Sequence, residues 1–193
     1  ANPGPSGIYR MPLSSPHSTQ RFTMMGLMLM ALLLCYIDRT IISIAAIEMQ
    51  KEYGWSDSQK GLMLSLFSVG YLTTQLLGGI LSNKFGGRNV YLFCVVVWSV
   101  TTVLMPTAAG NSIAMLLIAR VALGVGEGAT YPASYNLISQ WMAEHERARS
   151  LGLISSAAAV GTVGALLVTG LLIAQFGWPS VFYLFGGLGL LWS

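Results

Sequence analysis

Residues Met24–Ala46 read MMGLMLMALLLCYIDRTIISIAA, an apolar run of 23 residues broken only by Asp38 and Arg39. A helix needs roughly 20 apolar residues to cross the hydrocarbon core of a bilayer, so this stretch is long enough to span one. Four further runs of that kind follow: Gly61–Ser82, Val90–Ala109, Ser112–Tyr135 and Leu151–Ala174. A sixth, Pro179–Ser193, stops short at the end of the chain. The second, third and fifth runs contain no charged residue. Pro179 suits the first turn of a helix, where a missing N–H goes unused. These spans predict an all-α membrane protein, a six-transmembrane-helix bundle over residues 21–193 that is truncated in its sixth helix.

Composition supports the bilayer as solvent. Of 193 residues, 54% are hydrophobic and 9% charged, against about 25% charged in a soluble domain. A net charge of +3 is too small to argue for a nucleic-acid partner; the lipid bilayer is the partner expected. Cys35 and Cys94 both lie inside apolar runs and read as small buried hydrophobes, neither metal ligands nor a disulfide framework. No nucleophile–base arrangement, metal cluster or phosphate loop is present, so neither an enzyme nor a metal or other cofactor is expected. Ala1 to about Gln20 holds four of the seven prolines with several serines and reads as a flexible cytosolic tail, with a targeting remnant as the alternative. Because the chain opens at Ala1 and closes inside an apolar run, it is read as a fragment lacking a C-terminal part.

Basic residues orient the spans. With a cytosolic N-terminus, the inside carries Arg10, Arg21, Lys84, Arg88, Arg147 and Arg149, and the outside only Lys51 and Lys60. The expected location is a plasma or inner membrane, with an organelle membrane as the alternative.

Four charges lie within the spans: Asp38 and Arg39 in the first, Arg120 and Glu127 in the fourth. Each costs on the order of 2.5–3.5 kcal/mol at the centre of an inserted helix, so such residues tend to be functional; the alternative is an ion pair that locks two helices together. At ~1.5 Å per residue, Asp38 and Arg120 each lie ~12 Å from the outer end of their spans, and Glu127 lies ~10 Å deeper than Arg120. Asp38 and Arg39 point about 100° apart, whereas Arg120 and Glu127, seven residues apart, share a face. This pattern predicts a cavity between the first and fourth spans, with two cations for an anion. The two carboxylates can exchange partners with those cations as a proton comes and goes. Burial disfavours a charged carboxylate and a neighbouring arginine favours it, the balance that ion coupling needs.

Tyr71 and Gln75, four apart on the second span, are candidate polar lining, as is Tyr36 on the first; simple packing is the alternative for each. Gly124, Gly126 and Gly128 open space around Glu127 for a neighbouring helix or for a ligand. Tyr131-Pro132 predicts a kink below Glu127.

Several motifs carry a resemblance. Gly79-Ile-Leu-Ser-Asn-Lys-Phe-Gly-Gly-Arg88 resembles the loop between the second and third helices of the major facilitator superfamily, and Arg120-x-x-x-Gly124-x-Gly126 resembles its fourth-helix motif. With Tyr36-Ile-Asp-Arg39, Gly54-Trp55-Ser56, Phe67-Ser-Val-Gly-Tyr71, Gly124-Val-Gly-Glu-Gly-Ala-Thr-Tyr-Pro132 and Gly177-Trp-Pro-Ser-Val-Phe-Tyr183, the chain is similar to the anion:cation symporter family within it. That family includes hexuronate and galactonate carriers, plant phosphate carriers, sialin and the vesicular glutamate transporters.

The resemblance implies a twelve-helix transporter, this chain being the N-terminal half and a C-terminal six-helix half its partner. It implies proton-coupled symport of a small organic anion, a sugar acid or other carboxylate, by alternating access. Sodium-coupled phosphate transport is the alternative, and a non-transporting scaffold or sensor a more distant one. By the same resemblance, Glu127 and Asp38 are the proton-coupling residues, and Arg39 and Arg120 hold or attract the anion; Tyr36, Tyr71 and Gln75 complete the candidate substrate-binding set from their placement alone. Gly79, Asn83, Lys84, Gly87 and Arg88 form the cytosolic gating loop, for which plain positive-inside topology is the alternative. Two positions depart from the pattern: Asn83 replaces the usual aspartate, and Glu48 stands where an apolar residue or proline is common.

Overall fold

The computed structural model describes residues 18–193. Arg10 and nearly all of the expected tail lie outside the described residues, and Ser18 already opens the first helix. Seven helices follow: α1 (Ser18–Tyr53), α2 (Asp57–Phe85), α3 (Gly87–Asn111), α4 (Ile113–Gly128), α5 (Thr130–Trp141), α6 (Glu144–Phe176) and α7 (Pro179–Trp192). Four helices, and α4 continued by α5, are long and apolar enough to cross a membrane; α7 is apolar but shorter. The six expected spans are all helical, most running several residues past the apolar stretch that reveals them.

The fourth span departs from a single helix. It breaks at Ala129, three residues before Pro132. Pro132 has no N–H to give the Gly128 carbonyl, and its ring crowds that same carbonyl, so the ladder ends one turn upstream of the proline. The kink expected at Tyr131-Pro132 is thus present and displaced towards Glu127.

The connections are as short as the turn chemistry allows. Gly54, Gly86 and Gly177 adopt positive φ of 66°, 85° and 79°, a region a Cβ disfavours. Ser56 caps α2 in a reciprocal box with Gln59, which satisfies two otherwise unpaired helix-end donors. The expected loop between the second and third spans is reduced to Gly86 alone, its other motif residues lying in α2 and α3.

Packing pairs α2 with α4, α1 with α6, and α3 with both α4 and α7. The glycines of α4 serve that packing. A Cβ on Gly124 would strike the Phe67 carbonyl of α2, and one on Gly126 would come within 2.9 Å of the Trp98 backbone nitrogen of α3. Gly128 likewise abuts the Tyr71 carbonyl, and from the other side Gly70 abuts Val121. Of the two readings of this glycine run, close helix approach accounts for all three residues. By contrast α1 and α4 make almost no direct backbone contact. The gap between them is where the charged side chains meet.

Candidate functional site

Arg39 reaches from the middle of α1 to Glu127, one residue before the end of α4. Its Nε donates to Glu127 Oε2 at 2.5 Å. Glu127 is fully buried and Arg39 is 22% exposed, so the pair is closed on the glutamate side and open on the arginine side. Three rings enclose the guanidinium, with centroids 4.4 Å (Tyr71), 4.9 Å (Tyr36) and 5.2 Å (Phe67) from its carbon. A cation desolvated among aromatic faces gains about 2 kcal/mol in favourable cases, which offsets part of its removal from water. One nitrogen of Arg39 (Nη2) and one oxygen of Glu127 (Oε1) are buried without a hydrogen-bond partner.

Arg120 lies two turns earlier on α4 and is buried. Its Nε donates to the Met63 carbonyl of α2 at 3.1 Å, its guanidinium sits 5.2 Å from the Phe67 ring centroid, and its Nη1 is unpartnered. Both arginines are thus in contact with the Phe67 ring. Sharing a face with Arg120 does not give Glu127 its partner; the partner is Arg39 across the gap.

Asp38 points elsewhere. Buried against α3, it accepts from the Thr102 hydroxyl at 3.2 Å, and its Oδ1 has no partner. Pro106, one turn after Thr102, leaves the Thr102 carbonyl without its helical donor, so this corner is rich in oxygen and poor in donors. Of the two carboxylates, Glu127 is paired with a cation and Asp38 is not.

Below the arginine–glutamate pair, the hydroxyls of Tyr36 and Tyr131 lie 2.9 Å apart and join α1 to α5. Tyr131 was legible in the sequence only as the residue before a kinking proline, and Thr102 only as one hydroxyl in a charge-free span. Gln75 is exposed, and among the described residues its side chain makes no hydrogen bond to the cluster.

The α2–α3 motif residues lie at the end of the bundle where α1 begins. Asn83 accepts from Asn136 of α5 at 3.0 Å, and Asn136 accepts in turn from Gln140. Gly87 leaves room for Asn136, whose Oδ1 would lie 2.6 Å from a Cβ there. Gly79 faces open space. Lys84 stands over the Phe85 ring and Arg88 is exposed. At the same end Arg21 pairs with Glu146, tying α1 to α6. At the opposite end Trp178 donates to Glu52 at 2.6 Å. Glu48 pairs there with Lys51 at 2.7 Å, an exposed pair one turn apart.

A model of the Major Facilitator Superfamily matches residues 28–193. The chain is 47% identical over 173 residues to a rice protein (Oryza sativa subsp. japonica) named probable anion transporter 4, chloroplastic, covering 90% of this chain and 29% of that one. It is 46% identical over 90% of its length to two Arabidopsis thaliana proteins. These are the ascorbate transporter, chloroplastic, of which 32% is covered, and the sodium-dependent phosphate transport protein 1, chloroplastic, of which 34% is covered. Among solved structures, a bacterial homologue of the human lysosomal transporter Spinster, inward-facing and occupied, superposes with a TM-score of 0.83 at 25% identity, covering 93% of this chain and 43% of that one. The chain thus spans about a third of the length of these curated relatives. A family model matched from Met28 to Ser193, together with a helical bundle in which an arginine of the first span pairs with a glutamate of the fourth, leads to one conclusion: this chain belongs to the Major Facilitator Superfamily.

Proposed function

We propose that the chain supplies the anion-binding and ion-coupling half of a secondary transporter that moves a small organic anion with protons by alternating access. The observation that carries this reading is the Arg39–Glu127 pair, buried on the glutamate side, open on the arginine side, with one polar atom of each partner unfilled. An incoming carboxylate takes up the free guanidinium edge and competes with Glu127 for Arg39. Once displaced from its cation, the buried Glu127 is more stable protonated than charged. Anion and proton are thereby favoured together, the linkage that symport requires. Arg120, held by the Met63 carbonyl with one nitrogen spare, is the second cation of the path. Asp38 is a second proton position, since it is buried without a cation.

A sodium-coupled phosphate carrier is the second reading. It is favoured by the relative named as a sodium-dependent phosphate transport protein and by the oxygen-rich corner at Asp38 and Thr102. The relatives' names place them in chloroplasts, and we assign this chain to an organelle membrane of that kind. Arg21, Lys84, Arg88, Arg147 and Arg149 then face the compartment in which the N-terminus lies.

Uptake by the complete transporter in proteoliposomes tests this. Labelled ascorbate, galactonate, glutamate and phosphate are offered singly under an inward proton gradient or an inward sodium gradient. The proposal predicts uptake of one carboxylate driven by protons. Phosphate uptake driven by sodium and indifferent to protons would replace it with the second reading.

A further inference from the structure

A groove of about 400 Å³ opens between α2 and α3. Its walls include Leu81 and Phe85 of α2, Val90 and Phe93 of α3, and Val125 of α4. Phe85, Phe93 and Val125 are exposed on the surface of the bundle, so the groove faces outward. Along α2 it runs from Phe85 back to Thr74, 11 residues or ~16 Å at the helical rise. That is a long, narrow apolar slot inside the depth of the membrane.

Its mouth is cationic. The Lys84 ammonium lies 5.3 Å from the ring centroid of Phe85, a wall residue, and the exposed Arg88 stands at the same single-residue turn, in the first turn of α3. Among the described residues no carboxylate pairs with either cation. The reason is local. Asn83, where the resemblance leads one to expect an aspartate, joins a neutral amide chain with Asn136 and Gln140, so the turn holds itself together without using its positive charges. An apolar slot with two uncommitted cations at its membrane-surface end matches an amphiphile with an anionic head and a hydrocarbon tail. Basic pockets between spanning helices are known to take anionic lipid head groups.

We propose that this groove, with Lys84 and Arg88, binds one anionic phospholipid, its acyl chain along Leu81, Phe85 and Phe93 and its phosphate between the two cations. The site is independent of the transported anion and of the coupling ion. Its occupant bridges α2 and α3 at the single-residue turn that joins them.

Native mass spectrometry of the complete transporter, delipidated and given phosphatidylglycerol or phosphatidylcholine, tests the assignment. The prediction is one retained phosphatidylglycerol, preferred over phosphatidylcholine. Replacing both cations, K84Q with R88Q, lowers that preference about thirtyfold, equivalent to about 2 kcal/mol at about 1 kcal/mol per basic residue. Phe93→Ala weakens retention with both charges in place, and inorganic phosphate at equal concentration does not displace the lipid. All three substituted positions are exposed, and a circular-dichroism melt unchanged from wild type confirms intact folding. Equal retention of the two lipids, no loss in the double variant, displacement by inorganic phosphate alone, or a groove closed by another part of the complete polypeptide would each overturn the proposal.

Discussion

Arg39 and Glu127 are strongly interdependent. Glu127 is fully buried and Arg39 is its only cationic hydrogen-bond partner among the described residues. Removing one member of a buried pair leaves an uncompensated charge, at a cost of about 3–5 kcal/mol. Arg39→Gln should therefore lower the melting temperature of the purified protein, and Arg39→Gln combined with Glu127→Gln should recover much of the loss. Equal melting of wild type and Arg39→Gln would show that the pair contributes nothing to stability. The four charges themselves were legible in the sequence, because a charge within an apolar run stands out. Their pairing was not. Which arginine meets Glu127 depends on the rotation of α1 and α4 about their axes and on the gap left between them, and spacing along one helix says nothing of either. Asp38 shows the same limit: its neighbour Arg39 faces the gap, while Asp38, about 100° round the helix, faces Thr102 on α3.

At the scale of elements, the number and order of the spans follow from hydropathy while their ends do not, and Gly86 and Gly177 act where a turn needs positive φ. The break in the fourth span was announced by Pro132, although the last helical residue before it, Gly128, is set by which carbonyl the proline cannot serve. The glycines of α4 had two readings in the sequence, and only the backbone of the neighbouring helices separates them. This gives a paired prediction. Gly124→Val pushes a side chain into the Phe67 carbonyl and should cost more than the roughly 1–3 kcal/mol of ordinary overpacking, because backbone cannot swing aside. Gly79→Ala, which meets open space, should be neutral or stabilising by under about 1 kcal/mol through helix propensity. Fluorescence-detected size-exclusion chromatography after heating distinguishes the two. A Gly124→Val protein as heat-resistant as wild type would mean that α2 and α4 do not pack as closely as described.

At the scale of the whole molecule, the two ends of the bundle are closed differently. One end is tied by Arg21–Glu146 and the Asn83–Asn136–Gln140 chain. The other is tied by Trp178–Glu52 and the stacking of Tyr53 on Trp55. Between them, α2 and α6 bury much less of their apolar surface than α1 and α3 do. Those faces stay exposed in a chain that spans about a third of its relatives' length. In carriers built from two six-helix halves, the substrate lies between the halves near the midplane. On the proposed function, anion recognition and proton binding are one event at one ion pair. That coupling is tested by comparing wild type with Glu127→Gln in proteoliposomes, scoring both proton-driven accumulation of the transported anion and its exchange at equal concentrations on both sides. The variant should exchange anion but no longer accumulate it. Accumulation at the wild-type level by Glu127→Gln would contradict that coupling.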